Sequence, residues 1–370
     1  MSTIFKQKDD CIISSSFSSE DLTLLLNQAT GSPVSVEEKE QLVASGGHYS
    51  DVFVKEGLLS ESLKKAYDYA LNENKGARRL AYHIQFLAKE IVAHSSPNKP
   101  LVLISLVRAG VPLGVLLTRY IRRNFPEVSV KHYGISIIRD RGIDQKALET
   151  IHKKNLDSIH YFIDGWTGKG SISYELRHAL RNISLPFDFK LVVDSDPAKT
   201  ATHCATYEDW LIPFGLVGAQ ISGLFSRTLW ADNSYHMAAY FSDLEKDDIS
   251  SNFIETVEKY TEEVIVASDY PADCSLKNSA TAELFSDVSA SEVIKEAMDT
   301  FNLSSIHKVK PGIAEATRAI HRRTPRLIIL RTAQDPETNY IKSSAEEKGV
   351  PIQYGLSGGM GPFRAITILK

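Results

Sequence analysis

At 370 residues, 43% of them apolar and 24% charged, the chain has the make-up of a soluble globular protein long enough for two domains. No apolar run approaches the roughly 20 residues that span a bilayer, and the first residues lack the apolar core of a signal peptide, so a cytoplasmic protein without membrane contact is expected. The net charge of −4 hides an asymmetry, with acids dominating residues 241–300 and bases dominating 301–370, which marks a separate, basic C-terminal domain. Cys11, Cys204 and Cys274 are far apart and odd in number, as reduced thiols are, and no Cys/His spacing points to zinc.

Taken in order, residues 17–28 offer Ser caps, acids in a first turn and then leucines, which predicts a helix start. Gly31, Ser32 and Pro33 break it, and 36–44 reads as another short helix. The polar loop 46–51 carries His48 and Tyr49, which either meet a ligand or pack on the loop itself. Residues 61–94 are mostly helical, with Leu63, Ala66, Tyr67, Ala70 and Leu71 forming a core stripe. Residues 101–107 are continuously apolar, as a strand of a parallel sheet must be. Arg108, Ala109 and Gly110 follow, and Pro112 suits the first turn of a helix. An Arg between a strand's carboxyl end and a helix start is a candidate anion site. Residues 129–138 form a further strand, after which Arg139 and Arg141, interleaved with acids, can close over a polyphosphate.

The most informative stretch is 159–173. An apolar strand ends in Asp164, a turn with Gly165, Gly168 and Gly170 follows, and a helix runs over 171–183. Glycines let the backbone fold tightly, so the amides of Lys169, Gly170 and Ser171 can point at a phosphate favoured by the helix N-terminus. The Thr167 hydroxyl adds a donor. Lys169 is followed by Gly170, so the turn is no Walker A loop, and the glycine gaps do not fit a dinucleotide fingerprint. With a strand at 189–194, the alternation predicts an α/β fold: a mainly parallel sheet with helices on both faces. Residues 195–230 are rich in small side chains, and Ser222, Ser226 and Arg227 read better as packing than as acceptor contacts. A short strand near 236, a charged amphipathic helix over 247–266 and a linker over 268–290 complete the first domain.

Residues 19–26, 46–51, 132–144 and 163–170 together resemble the StiP family, phosphoribosyltransferase-like proteins of bacterial tellurium-resistance and stress gene clusters. The turn 163–170 resembles the ribose-phosphate loop of type I phosphoribosyltransferases, with two departures. Ile163 replaces the first of two usual acids, and the gap from Asp164 to Thr167 is short. Arg108-Ala109-Gly110 resembles the pyrophosphate loop of the uracil-type enzymes. Residues 311–330 and 344–354 resemble Pelota-type RNA-binding domains.

The resemblance implies a type I phosphoribosyltransferase-like domain with an N-terminal helical hood in 1–285 and a small α/β Pelota-like domain in 286–370. It implies 5-phosphoribosyl 1-pyrophosphate (PRPP) as donor, Mg²⁺ held mainly through that substrate, and an unidentified acceptor giving a nucleoside-like or nucleotide-like product. Asp164 would meet the ribose, Thr167, Gly168, Lys169, Gly170 and Ser171 the 5-phosphate, and Arg108, Ala109 and Gly110 the pyrophosphate, with Arg139 and Arg141 closing over it. RNA would meet Gly312, Glu315, Arg318, Arg322 and Arg323. Two other readings stand beside this one. One is a nucleotide-sensing RNA binder without activity; the other is a cysteine protease, a label some of the family carries, using Cys204 with His203 or His236. Homo-oligomerisation is left open.

Overall fold

The computed structural model describes residues 6–96, 99–262 and 288–370 and contains three sheets. The N-terminal region holds β1 (Lys6–Ile12), β2 (Thr23–Leu24), β3 (Asn27–Thr30), α1 (Val36–Ala44), α2 (Glu61–Asp68) and α3 (Gly76–Ala93). The middle alternates β4 (Leu101–Val107), α4 (Gly110–Asn124), β5 (Val130–Ile138), β6 (Gly142–Ile143), α5 (Gln145–Lys154), β7 (Ile159–Trp166), α6 (Ser171–Arg181), β8 (Leu191–Ser195) and β9 (His203–Thr206). There follow α7 (Pro213–Leu216), β10 (Met237–Ala238) and α8 (Ser250–Thr261). The C-terminal domain comprises α9 (Ala290–Thr300), β11 (Val309–Pro311), α10 (Ile313–Arg322), β12 (Pro325–Leu330), α11 (Asn339–Glu347), β13 (Ile352–Tyr354) and β14 (Ala365–Leu369).

The central sheet runs β2-β5-β4-β7-β8-β9 and every one of those pairs is parallel. β4, flanked by β5 and β7, is buried on both sides, which is why it reads as a nearly continuous apolar run. Leu103 and Ile163 face one core with α3, α4 and α8; Val102, Ile104 and Phe162 face another with α5 and α6. The α/β class and the helix-covered parallel sheet are as expected. A crossover sheet of this kind leaves its ligand crevice at the carboxyl ends of β4, β5 and β7. Among the described residues no helix is long and apolar enough to cross a membrane.

Three expectations need correction or limits. Residues 17–28 do not form a helix, so the N-terminal hood is only partly helical. Leu22, Leu24 and Leu26 enter one core while Leu25 enters the other, an alternation of period two that makes an extended segment of a leucine run. Residues 195–230 contain β9, an edge strand that their small and polar residues disguise. The linker over 268–290 and the domain boundary at 285/286 fall largely outside the described residues.

The C-terminal domain has its own sheet, β11-β14-β12-β13, yet it is not separate from the rest. Ile313, Ala316 and Ile320 of α10 belong to the same core as Trp210, Leu211 and Phe214. Asp209 is the polar anchor of that contact. Its carboxylate accepts from the Ile313 amide at 2.8 and 3.0 Å and from the Arg364 amide at 2.8 Å. Neighbouring Trp210 is fixed by its indole N–H, which donates to the buried Asp194 at 2.8 Å, while His83 lies 2.7 Å from the other Asp194 oxygen. Glu208 adds ion pairs to Arg79 at 2.8 Å and to Arg364 at 3.6 Å.

Candidate active site

The turn after β7 has the open form that its glycines allow. Asp164 is buried and its Oδ1 accepts from the Gly165 amide at 2.8 Å. Burial pushes its carboxyl up to about 7, with that one amide opposing. Gly170 takes φ +73°, a left-handed conformation that strains other residues, and opens α6. Among the described residues no acceptor takes the amides of Gly168, Lys169, Gly170 or Ser171. A helix start with open amides is a ready anion site.

Thr167 is placed differently from the expectation. Its hydroxyl donates to Asp196 and accepts from the Ala198 amide at 3.2 Å, and its own amide donates to the Ser195 carbonyl at 2.9 Å. It braces the turn rather than offering a spare donor. Lys169 reaches across to the C-terminal domain, where its ammonium donates to the Ile306 carbonyl at 2.7 Å. Burial, and then Lys310, lowers it to about 8.

The turn after β4 lies against this one because glycine is present at the crossing. A Cβ on Gly110 would stand 2.1 Å from the Ile163 carbonyl oxygen, and one on Gly165 would meet the Phe214 ring at 2.8 Å. The amides of Ala109 and Gly110 have no acceptor among the described residues. The Val107–Arg108 peptide between strand and turn is cis. Arg108 itself is occupied: its guanidinium donates to Glu56 at 2.6 Å and to the Phe225 carbonyl at 2.8 Å. Burial opposes ionisation of Glu56, but Arg108, Arg322 and the Ala219 amide hold its carboxyl well below the usual range.

Arg108, Arg139, Asp164 and the 167–171 turn line one cavity of about 400 Å³. Arg139 lies over the Tyr49 ring at 5.4 Å. Arg141 does not line the cavity; Asp51 at 2.6 Å and Ser50 at 3.0 Å hold it. The opposite wall was not foreseen. His307, Lys310, Glu315 and Arg318 of the C-terminal domain face the same cavity, as does Arg227. Glu315 and Arg318, expected at an RNA surface, thus line the cavity, and the Asp209 carboxylate occupies the Ile313 amide next to Gly312. Arg322 and Arg323 are exposed. Ser222 and Arg227, read from the sequence as packing rather than acceptor contacts, both line the cavity, whereas Ser226 does not.

Cys204 lies on β9 and is buried in the core with Phe162 and Val193, outside the cavity lining. His203, its neighbour on the strand, is directed to the other face, where its ring meets Tyr161 at 5.5 Å. His236 is buried, with Nδ1 2.7 Å from the Ser136 hydroxyl.

The sequence model described as "Tellurite-like stress resistance cysteine protease StiP" matches residues 15–258, and the PELOTA RNA-binding domain model matches 288–370. A protein of Acinetobacter baylyi named "Cysteine protease StiP" is 37% identical over 378 residues, covering 96% of this chain and 94% of its own. Solved structures with likeness include the hypoxanthine phosphoribosyltransferase of Trypanosoma cruzi, at 15% identity and TM-score 0.27, covering 45% of this chain and 93% of that one. The HGPRT-ase of Leishmania tarentolae follows at 16% and 0.24, covering 40% and 74%. Scores this low carry no argument about chemistry. The family match and the near-complete alignment do settle descent: the chain belongs to the StiP family.

Proposed function

We propose that the cavity binds PRPP and that the protein transfers its phosphoribosyl group to an acceptor, releasing pyrophosphate. The observation that carries this reading is the set of amides at 168–171 and 109 that lack partners among the described residues, gathered with Asp164 in one cavity at a parallel sheet's carboxyl edge. The first set suits a terminal phosphate and the second a pyrophosphate, and their separation by an acid suits a sugar between them. In the reaction the bond from C1 to the pyrophosphate oxygen breaks and the pyrophosphate leaves with the electron pair. The acceptor's nucleophilic atom bonds to C1 and gives up a proton. Asp164, as carboxylate, opposes the positive charge that grows on the sugar. Walls on both sides of the cavity exclude water that would hydrolyse the donor.

Mg²⁺ fits this site as a substrate-held ion. Asp164 and Glu315 are the acids among the lining residues, and the remaining ligands of such an ion come from phosphates, ribose hydroxyls and water. Its contribution when bound is to neutralise the leaving pyrophosphate.

The Pelota match supports RNA as a further partner, and on this arrangement the exposed Arg322 and Arg323 are where it would touch. The protease name of the relative finds no support at Cys204, which is buried away from the cavity. Isothermal titration of PRPP with Mg²⁺ tests the main reading. Wild type should bind, and Asp164→Asn should bind at least tenfold more weakly or, in a parallel assay, release pyrophosphate at least tenfold more slowly. Equal binding and equal pyrophosphate release by both proteins would overturn it.

A further inference from the structure

The cavity holds more positive charge than the backbone cradle requires. Arg227 follows Ser226 on the loop before β10, and Arg318 projects from α10 of the C-terminal domain. Among the described residues neither guanidinium has a carboxylate partner or a hydrogen bond. Arg227 is surrounded by protein yet accessible, because the surface it shows is cavity wall. Burial, then Arg318 and Arg108, lowers it to about 10; burial, then Arg322, lowers Arg318 to about 10. Both stay cationic at neutral pH. Guanidinium groups that repel one another across a cavity become favourable when an anion enters between them. Their planar forks match phosphate oxygens in pairs.

Position selects the anion. Arg108 donates to the Phe225 carbonyl, two residues before Arg227, and to Glu56, which Arg322, one turn beyond Arg318 on α10, approaches at 3.9 Å, whereas Lys169 reaches the Ile306 carbonyl. The Arg227–Arg318 pair therefore stands on the Arg108 side of the cavity, which the Ala109 turn also lines. Arg108 cannot serve an anion there without giving up Glu56 and the Phe225 carbonyl. We infer that Arg227 and Arg318, not the Arg108 side chain, take the diphosphate, so that the C-terminal domain supplies a binding residue of the transferase site. This rests on the proposed function and deepens it. Lys310 is not counted in the pair because Glu315 lies 3.7 Å from its ammonium. RNA can reach the Glu315 and Arg318 part of α10 only if the domain leaves that site, whereas Arg322 and Arg323 stay exposed with the domain in place.

The test uses the full chain and two probes by isothermal titration: inorganic pyrophosphate with Mg²⁺, and ribose 5-phosphate. Arg318→Gln and Arg227→Gln should each weaken pyrophosphate about tenfold or more and leave ribose 5-phosphate within about threefold. Should a Gln variant fail to fold, Arg318→Lys keeps the charge without the fork and should still lose about threefold for pyrophosphate alone. Unchanged pyrophosphate affinity in the folded variants overturns the inference. So does displacement of pyrophosphate by a 12-nucleotide RNA that Arg318→Gln abolishes, since Arg318 would then belong to nucleic acid. Pyrophosphate binding that depends on both arginines, in a protein with no affinity for ribose 5-phosphate, would sustain the arginine pair and sink the phosphoribosyl reading instead.

Discussion

Gly170 opens α6 and Gly312 opens α10, both at positive φ, 73° and 89°. The two helix starts look alike in sequence, each a glycine turn after a strand, and each was expected to meet a ligand, the 5-phosphate at the first and RNA at the second. They are used in opposite ways. At Gly170 the amides are open to the cavity. At Gly312 the Asp209 carboxylate already fills the helix end, with bonds of 2.8 and 3.0 Å to the Ile313 amide. A helix N-terminus attracts an anion in either case; whether that anion is a ligand or the chain's own carboxylate depends on what another element brings there. The first helix start makes a candidate site, and the second makes a joint between domains.

The largest effect should come from emptying the joint. Asp209→Ala leaves the buried Ile313 and Arg364 amides without acceptors, at about 1–3 kcal/mol each. Chemical denaturation should show a loss of about 2–6 kcal/mol, and Arg318 should leave the cavity with the domain, weakening pyrophosphate as well. A variant as stable as wild type would show that the two helix starts do not differ in this way. Gly110→Ala attacks the other side of the comparison. Its Cβ has nowhere to go without moving the Ile163 backbone, so it should cost about 1–3 kcal/mol and separate the two open turns. Donor affinity should fall with stability.

Much of the cavity's sheet edge was legible in the sequence, because parallel strands buried on both faces cannot avoid continuous apolar runs and because glycines mark where two backbones come close. Arg108, Arg139, Asp164 and the 167–171 turn were found in that way and do line one cavity. The roles of single side chains were less legible. Thr167 and Arg141 looked like free donors, but each has partners from distant parts of the chain, Asp196 and Asp51. Leu22, Leu24, Leu25 and Leu26 satisfy a helix start and a two-faced extended strand equally well, and only the presence of two cores decides between them. The far wall was invisible for the same reason: nothing local to Arg318 says that the C-terminal domain turns its helix inward.

Smaller effects sharpen the contrast at the open turn. The folded chain holds the Asp164 proton up to about 7, while the unfolded carboxyl releases it near 3.8. The folded state therefore binds more protons between those values, and its stability falls as pH rises through them. Asp164→Asn removes that penalty. It should be about 1–3 kcal/mol more stable than wild type at pH 8, and the difference should vanish near pH 4. Transferase activity of the wild type should rise through about pH 7 as the carboxylate forms. A variant destabilised at pH 8 would mean that the acid is satisfied without ligand. The smallest effect is expected at Cys204. Replacing this buried thiol with Ala should cost about 1 kcal/mol and leave any transferase turnover intact; loss of proteolytic activity in its place would favour the family's other name.

The most direct measurement is a crystal structure of the full chain soaked with PRPP and Mg²⁺. The account predicts the 5-phosphate oxygens about 3 Å from the amides of Gly168 to Ser171, with the pyrophosphate between the Ala109–Gly110 turn and the guanidinium groups of Arg227 and Arg318. Phosphate groups bound elsewhere, or a cavity still without donor at millimolar concentration, would contradict it.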